Sequence, residues 1–523
     1  MPEPLAFGGI FPINEFRGGD WPVFCSISKW PIKTGIVTMI RSSILGIFLL
    51  AASMAKATTY YVALDGNDAH PGTELQPVRT VAKGMQLAQP GDTVLLGPGY
   101  YNEALVAVRD GAANQYITVD GQGVATVLRV AVGKPYHRLQ NLTVSGYTTK
   151  NGKLLNLARG GHYCVVSNVV VDVNMAQGVV GISWENPSTK PFGPDAASNC
   201  LLVSNRVTGV LGTTVISVYG ASNRLIGNYI HDVGAADFMR LWGETNWIVG
   251  NTFSNNFKVE GVGNHVDFIQ TFGNNQFGSW GHVLEGNRVV KVAGQLSQLE
   301  GNVVPEIGYW TFRNNLFIDI DLQASCSVPG IAYYNNTFLR CNQVNGSHVL
   351  GFGSRAYTDP ARHHTIGTNY AHGAQVLNNV FLDCGDLARD NRGWYSVSKE
   401  ITNCVADYNF VAKNGYGAVK QGTKAVGEDG YDTLKWFEYH GINGGNPGFV
   451  DEGALDLRLV PNRPLLGAGT NLSFLFGADK QGAMRGSHWD IGAFQFQPGA
   501  TDRPGAEVPR PSAPGGLRLV LHP

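Results

Sequence analysis

The sequence predicts an all-β fold, a right-handed parallel β-helix with a short N-terminal capping helix. Three observations predict it: a recurring Asn-centred phrase, strand segments only three to five residues long, and a glycine-rich composition poor in charge. The chain has 523 residues, 67 of them Gly, with 43% hydrophobic and 15% charged residues. That is a composition of many short strands joined by tight turns, with enough apolar content for a large core. The formal net charge of -1 provides no basic field for phosphates and argues against nucleic-acid binding.

The recurring phrase is an apolar pair, a small or polar residue, Asn, then alternating apolar residues. It reads LQNLTV, VVSNVVV, LVSNRV, LIGNYI, IVGNTF, LEGNRVV, FRNNLFI, YYNNTFL, VLNNVFL and ADYNFV. Its Asn residues are Asn141, Asn168, Asn205, Asn228, Asn251, Asn287, Asn315, Asn336, Asn379 and Asn409, separated by 27, 37, 23, 23, 36, 28, 21, 43 and 30 residues. A floor near 21 to 23 with variable excess is the signature of one solenoid coil plus loop insertions. Stacked coils place equivalent residues about 4.8 Å apart, so side-chain amides can pass hydrogen bonds along the stack, and Asn tolerates the left-handed backbone of such corners. The strands also lack the two-residue Asn-Gly turns of antiparallel hairpins.

Four segments follow. Residues 1–38 have no periodicity and receive no fold. Residues 39–57 carry a short basic start at Arg41, an apolar run from Ser43 to Ala52, and the small residues Ala55 and Ala57 around Lys56; this predicts a Sec signal peptide, because the run is half the roughly 20 residues a span needs. Residues 58–496 form the β-helix. Residues 497–523 are a Pro-rich flexible tail.

Export permits disulfides. Six cysteines follow Ala57, namely Cys164, Cys200, Cys326, Cys341, Cys384 and Cys404, with no CxxC pair to suggest zinc. Cys341 and Cys384 each follow a phrase Asn by five residues and should be stacked neighbours. Buried free thiols are an equal reading.

The opening stretch TYYVALDGNDAHPGTELQPVRTVAKGMQLAQPGDTVLLGPGYYNE (59–103) holds two strands around an amphipathic helix from about Thr80 to Ala88 that can cover the first coil. The closing stretches NPGFVDEGALDLRLVPNRPLLGAGTN (446–471) and RGSHWDIGAF (485–494) complete the pattern. With its YYV, DGND, PGT, QP and PGDTV series the chain resembles the pectate-lyase-like superfamily of secreted right-handed β-helix proteins. The resemblance implies a fold and a polysaccharide substrate. The NTD, GHG and RIK series of polygalacturonases is absent, and no acidic cluster is dense enough to mark the calcium site of pectate lyases.

Aligning coils on the Asn phrase brings a second strand into register: VVGISWE, TVISVYG, DFMRLWG, DFIQTFG and QLSQLEG. Ile182, Ile216, Met239, Ile269 and Ser297 face inward, as do Trp184, Val218, Leu241, Thr271 and Leu299 two residues on. Outward lies a polar file of Ser183, Ser217, Arg240, Gln270 and Gln298, beside a second file of Glu185, Tyr219, Trp242, Phe272 and Glu300. Aromatic faces stack on pyranose rings while amide and guanidinium groups bond hydroxyls and carboxylates, so Tyr219, Trp242, Phe272, Gln270, Gln298 and Glu300 are the candidate substrate contacts.

Asp237 and Asp267 precede equivalent strands, with His265 two residues before the latter. A carboxylate pair about 5 to 5.5 Å apart suits a retaining glycosidase. The same pair could hold Ca²⁺ and so neutralise a uronate; in a lyase or C5-epimerase that neutralisation acidifies the C5 proton for a base. Arg240 can neutralise a carboxylate, His265 has the pKa suited to proton transfer, and Lys258 lies just upstream. The resemblance implies that Arg or Lys can serve as that base. Asp at such a position is also a common solenoid corner residue, the reading given to His231, Asp232, His363 and His364. The expectation is an exported, monomeric enzyme, a lyase or epimerase on an acidic polysaccharide. The alternatives are a glycoside hydrolase using Asp237 and Asp267, and a non-catalytic glycan-binding adhesion protein.

Overall fold

The computed structural model describes residues 57–263, 266–272, 277–300, 306–343, 348–358, 365–385, 395–398, 400–412 and 438–498. Residues 1–38, nearly all of the expected signal peptide, and His265, His363 and His364 lie outside these.

Successive short strands pair parallel with their equivalents one coil later, and the chain winds through three long faces. This is a right-handed parallel β-helix, with the hand that parallel crossovers adopt. The first face has 13 strands, from Thr59–Val62 to Val405–Asp407. The other two share the longest strands, Arg288–Glu300 and Leu316–Ser327, which run around the corner between them.

Because register repeats, each inward position becomes a column. Leu202, Leu225, Ile248, Leu284, Phe312, Tyr333 and Val376 pair in succession along the first face. On the second face Phe317, Phe338 and Phe381 stack with ring centroids 5.0 and 4.6 Å apart. All these residues are buried in one continuous core.

The expected helix is Val81–Leu87, with Thr80 as N-cap and Ala88 as C-cap; the Thr80 hydroxyl accepts from the Lys83 amide. It lies so close on the first coil that a Cβ at Gly84 would sit 2.8 Å from Val62 Cγ2 and 2.9 Å from Val94 Cγ1. At the other end, residues 449–496 return along the second face. There the outward column changes from Thr208, His231 and Ser254 to Val290, Ile318, Leu339 and Leu382. The apolar half packs under Leu457, Leu465, Ile491 and Phe494 as a second core.

The Asn phrase resolves into two roles. Asn205, Asn228, Asn251, Asn287, Asn315, Asn336, Asn379 and Asn409 form a buried ladder. In it the Oδ1 of each, from Asn228 on, accepts from the backbone N–H and Nδ2 of its predecessor at 2.8–3.1 Å. Asn141 and Asn168 do not belong to it: they stand one position earlier, at φ 54° and 51°, and bond to each other outside, Asn168 Nδ2 to Asn141 Oδ1 at 2.9 Å. Their registry mates are Ser204, Gly227, Gly250 and Gly286, all left-handed. One position supplies the turn and the next supplies the amide. Asn can fill either, so the phrase merges them.

Candidate functional site

The third face carries the expected register. Ser183 pairs with Ser217, Ser217 with Arg240, Arg240 with Gln270 and Gln270 with Gln298. The file extends to Asn156 before Ser183 and Ser325 after Gln298, two positions that sequence reasoning missed although the same register reaches them. The expected inward residues are buried throughout.

Side-chain bonds follow the file. Ser183 and Ser217 hydroxyls lie 3.0 Å apart, and Gln270 Nε2 donates to Gln298 Oε1 at 2.9 Å. Gln270 is only 6% exposed, and its Oε1 has no hydrogen-bond partner. A buried acceptor of that kind costs about 1–3 kcal/mol unless water or a ligand supplies a donor.

Asp237 and Asp267 are vertical neighbours: the Asp267 backbone N–H donates to Asp237 Oδ1 at 3.3 Å. Their row begins at Thr214 and continues to Gln295. Both carboxylates are buried, Asp237 at 0% and Asp267 at 1% exposure. Arg240 compensates the first, its Nε and Nη2 each 2.7 Å from Asp237 Oδ2, while its guanidinium lies 5.4 Å from the Phe272 ring centroid. Asp237 thus engages one edge of a planar fork and leaves Nη1 on the other.

Burial, and then the charge of Asp237, push the Asp267 carboxyl up to about 8. Asp267 therefore keeps its proton at neutral pH, while Arg240 lies against Asp237. The raised value has a consequence for stability. Between the ordinary carboxylate range near 4 and about 8 the folded protein keeps a proton that the unfolded chain has released. Stability from this group is complete below that window and falls across it by about 1.4 kcal/mol per pH unit. Asp267→Asn is expected to flatten this fall and to raise Tm relative to wild type, increasingly from pH 5 to pH 8, in thermal melts over a pH series. An equal Tm difference at every pH would contradict a protonated Asp267.

The aromatic file differs from an open platform. Tyr219 and Trp242 are 9% and 2% exposed. They stack on each other at 4.5 Å and 6°, and Phe277 meets Tyr219 edge-on at 5.1 Å. Trp242 Nε1 donates to the Phe272 carbonyl at 3.1 Å. Their faces are used within the protein, against each other and against Phe277, while Phe272 is half-buried. Glu300, expected as a sugar contact, pairs with Arg355 at 3.5 Å. Arg355 comes from the hairpin of Ser354–Thr358 and Thr365–Tyr370, and coil alignment gave no signal for it.

Connections on both sides of this face are long. Residues 185–200 and the hairpin follow site strands, and residues 258–266 precede Asp267. Residues 259–262 lie against earlier coils, since a Cβ at Gly212 would meet Val262 and one at Gly234 would meet Val259, each at 3.0 Å. Lys258 is exposed at its start.

Arg240 already occupies Asp237, both carboxylates are withdrawn from solvent, and among the described residues no three His, Cys, Asp or Glu side chains group to hold a metal. His231 is a corner residue bonded on both sides: Nδ1 lies 2.6 Å from Asp232 Oδ2, and Nε2 accepts from Arg206 Nε at 2.7 Å. No helix among the described residues is long and apolar enough to cross a membrane.

A family model described as "Protein of unknown function (DUF1565)" matches residues 64–343. No curated protein matches the chain. Among solved structures the chain is similar to pectate lyase Pel9A, at 14% identity over 85% of this chain and 98% of that one, with a TM-score of 0.46. It is also similar to a PL6 family polysaccharide lyase from Pseudopedobacter saltans, at 13% identity over 70% of this chain and 91% of that one, with a TM-score of 0.48. The parallel β-helix expected from the sequence is shown by the strand pairing of this chain itself.

Proposed function

The chain belongs to the family of proteins of unknown function termed DUF1565, and from that premise, which assigns no reaction, we propose that it is an exported lyase or epimerase acting on a uronate-containing polysaccharide. The observation that carries the reading is Arg240, a partly exposed cation held by a buried carboxylate in the middle of an outward polar file.

A uronate carboxylate bound by the open edge of Arg240 loses much of its negative charge, which makes the proton at C5 easier to remove. A base on the flanking stretch 258–266, with Lys258 and His265 as candidates, takes that proton. In elimination the C5 electron pair forms a C4–C5 double bond, the C4–O bond breaks, and the leaving oxygen takes up a proton. In epimerisation the proton returns from the opposite face. Hydrolysis through the dyad has less support: a retaining pair must reach the anomeric carbon, whereas Asp237 is committed to Arg240 and Asp267 is buried. Calcium is given no step.

The test is incubation with alginate, pectate, glycosaminoglycans and neutral glycans, with and without calcium. Unsaturated products from an acidic polymer, or solvent deuterium entering C5, support the reading. Reducing ends without unsaturation mean hydrolysis, and binding without turnover means an adhesion protein. On the active polymer Gln270→Ala is expected to raise KM about tenfold with kcat little changed, the loss of one hydrogen bond to substrate.

A further inference from the structure

A second column runs inside the first face. His137, Cys164, Cys200, Asn223, Asn246 and His282 occupy one position in six successive coils: His137 opens the strand His137–Gln140, and each of the others immediately precedes a strand whose residues pair in register with the strand one coil before. All are buried. Its last part is a hydrogen-bonded ladder like the first: the Cys200 N–H donates to Asn223 Oδ1, the Asn223 N–H to Asn246 Oδ1, and the Asn246 N–H to His282 Nδ1. The column therefore holds its members at coil spacing, and two of them are thiols.

Cys164 and Cys200 are joined through the backbone, with the Leu201 N–H donating to the Cys164 carbonyl at 2.8 Å. Equivalent residues of parallel neighbours lie about 4.8 Å apart, inside the 4.4–6.8 Å range of Cα separations in disulfides. The same relation recurs once. Leu339 pairs with Leu382, which places Cys341 opposite Cys384, and the Gly385 N–H donates to the Cys341 carbonyl at 2.8 Å. The other two cysteines stack on residues of other kinds among the described residues: Cys326 lies between Leu299 and Phe352, and Cys404 follows Ala374 in its column.

We propose that Cys164–Cys200 and Cys341–Cys384 are two inter-coil dithiols that close to disulfides during folding in an oxidising compartment, leaving Cys326 and Cys404 reduced. The oxidant is a disulfide donor, either a thiol oxidase or oxidised glutathione. One cysteine thiolate attacks the donor disulfide and expels one donor thiol, giving a mixed disulfide. The stacked cysteine then attacks that sulfur, the new S–S bond forms, and the second donor thiol leaves; each pair loses two protons and two electrons, and the donor gains them. Closure precedes completion of the stack, because Cys164, Cys200 and Cys341 are all at most 1% exposed afterwards. For Cys164–Cys200, His137 supports the first step. Its Nδ1 lies 3.2 Å from two carbonyl oxygens and so carries the proton, while the rest of the buried ring stands one coil before Cys164. Contact with Cys200 and with His137 also lowers the Cys164 thiol to about 6.

The test is to refold the mature chain in a glutathione buffer containing the oxidised form, denature it without reductant, block free thiols with N-ethylmaleimide and map the peptides. Cleavage after Glu185, between Cys164 and Cys200, separates their peptides so that a bond joins two fragments. The expected result is linked Cys164–Cys200 and Cys341–Cys384 peptides, with label on Cys326 and Cys404. Label on Cys164 and Cys200, or linkage of either to another cysteine, overturns the proposal for that pair. As a second readout, Cys164→Ala, Cys200→Ala and the double variant should lower Tm equally, whereas unequal or additive losses indicate packing alone.

Discussion

Arg240→Ala is expected to lower kcat/KM on the acidic polymer by about 10²–10³, the usual cost of removing one electrostatic stabiliser from an active site. It should also destabilise the fold by about 3–5 kcal/mol, because it removes the guanidinium that holds the buried Asp237 carboxylate. The two effects separate in a double-mutant cycle. Adding Asp237→Asn to Arg240→Ala removes the buried charge and should recover much of the stability by chemical denaturation, while turnover stays lost. Recovery of turnover together with stability would show that Arg240 acts only as a structural partner of Asp237. Arg240→Lys keeps the charge without the planar fork and should fall between wild type and Arg240→Ala in activity.

Asn287→Leu is expected to be the most damaging single change in the solenoid. Asn287 Oδ1 accepts from both Asn251 N–H and Nδ2, and its Nδ2 donates to the Ile248 carbonyl and to Asn315 Oδ1. Leucine fills a similar volume but strands the Asn251 N–H and takes the side-chain donor from the Ile248 carbonyl inside a site of 0% exposure, while Asn251 Nδ2 keeps its bond to the Leu225 carbonyl and Asn315 Oδ1 its bond from the residue-287 N–H. At about 1–3 kcal/mol for each orphaned group, the loss takes a large share of the stability of an ordinary domain. Soluble yield and near-UV circular dichroism should show a chain without native packing. Asn168→Gly is the contrasting change: the residue is exposed and left-handed at φ 51°, and stability should alter by no more than about 0.5 kcal/mol. Comparable losses at both positions would mean that the ladder is not what holds the coils in register.

Much of this architecture was legible beforehand because a solenoid converts sequence period into vertical contact. A run such as DFMRLWG above DFIQTFG states the pairing of Arg240 with Gln270 and the neighbourhood of Asp237 and Asp267, provided that coils stack without slipping. The capping helix was legible for a similar reason, since Thr80 and the apolar positions Val81 and Met85 are local signals. The Asn phrase was misread at Asn141 and Asn168, where one residue type serves two adjacent backbone roles.

Other features depend on segments far apart in the chain. The burial of Tyr219 and Trp242 depends on their packing against each other and against Phe277, and the Arg355–Glu300 pair depends on a hairpin that belongs to a later coil. The raised Asp267 pKa requires both its depth and the nearness of Asp237, which alignment supplies only in part.

The amino-acid sequence by itself determined the coil, its register, the inward columns and the file through Arg240, because strand alternation and coil repeat act on every residue in the same way. The tertiary structure alone decided which outward groups meet solvent and which charges are compensated. Those outcomes depend on irregular insertions, whose packing against the regular stack has no period to read.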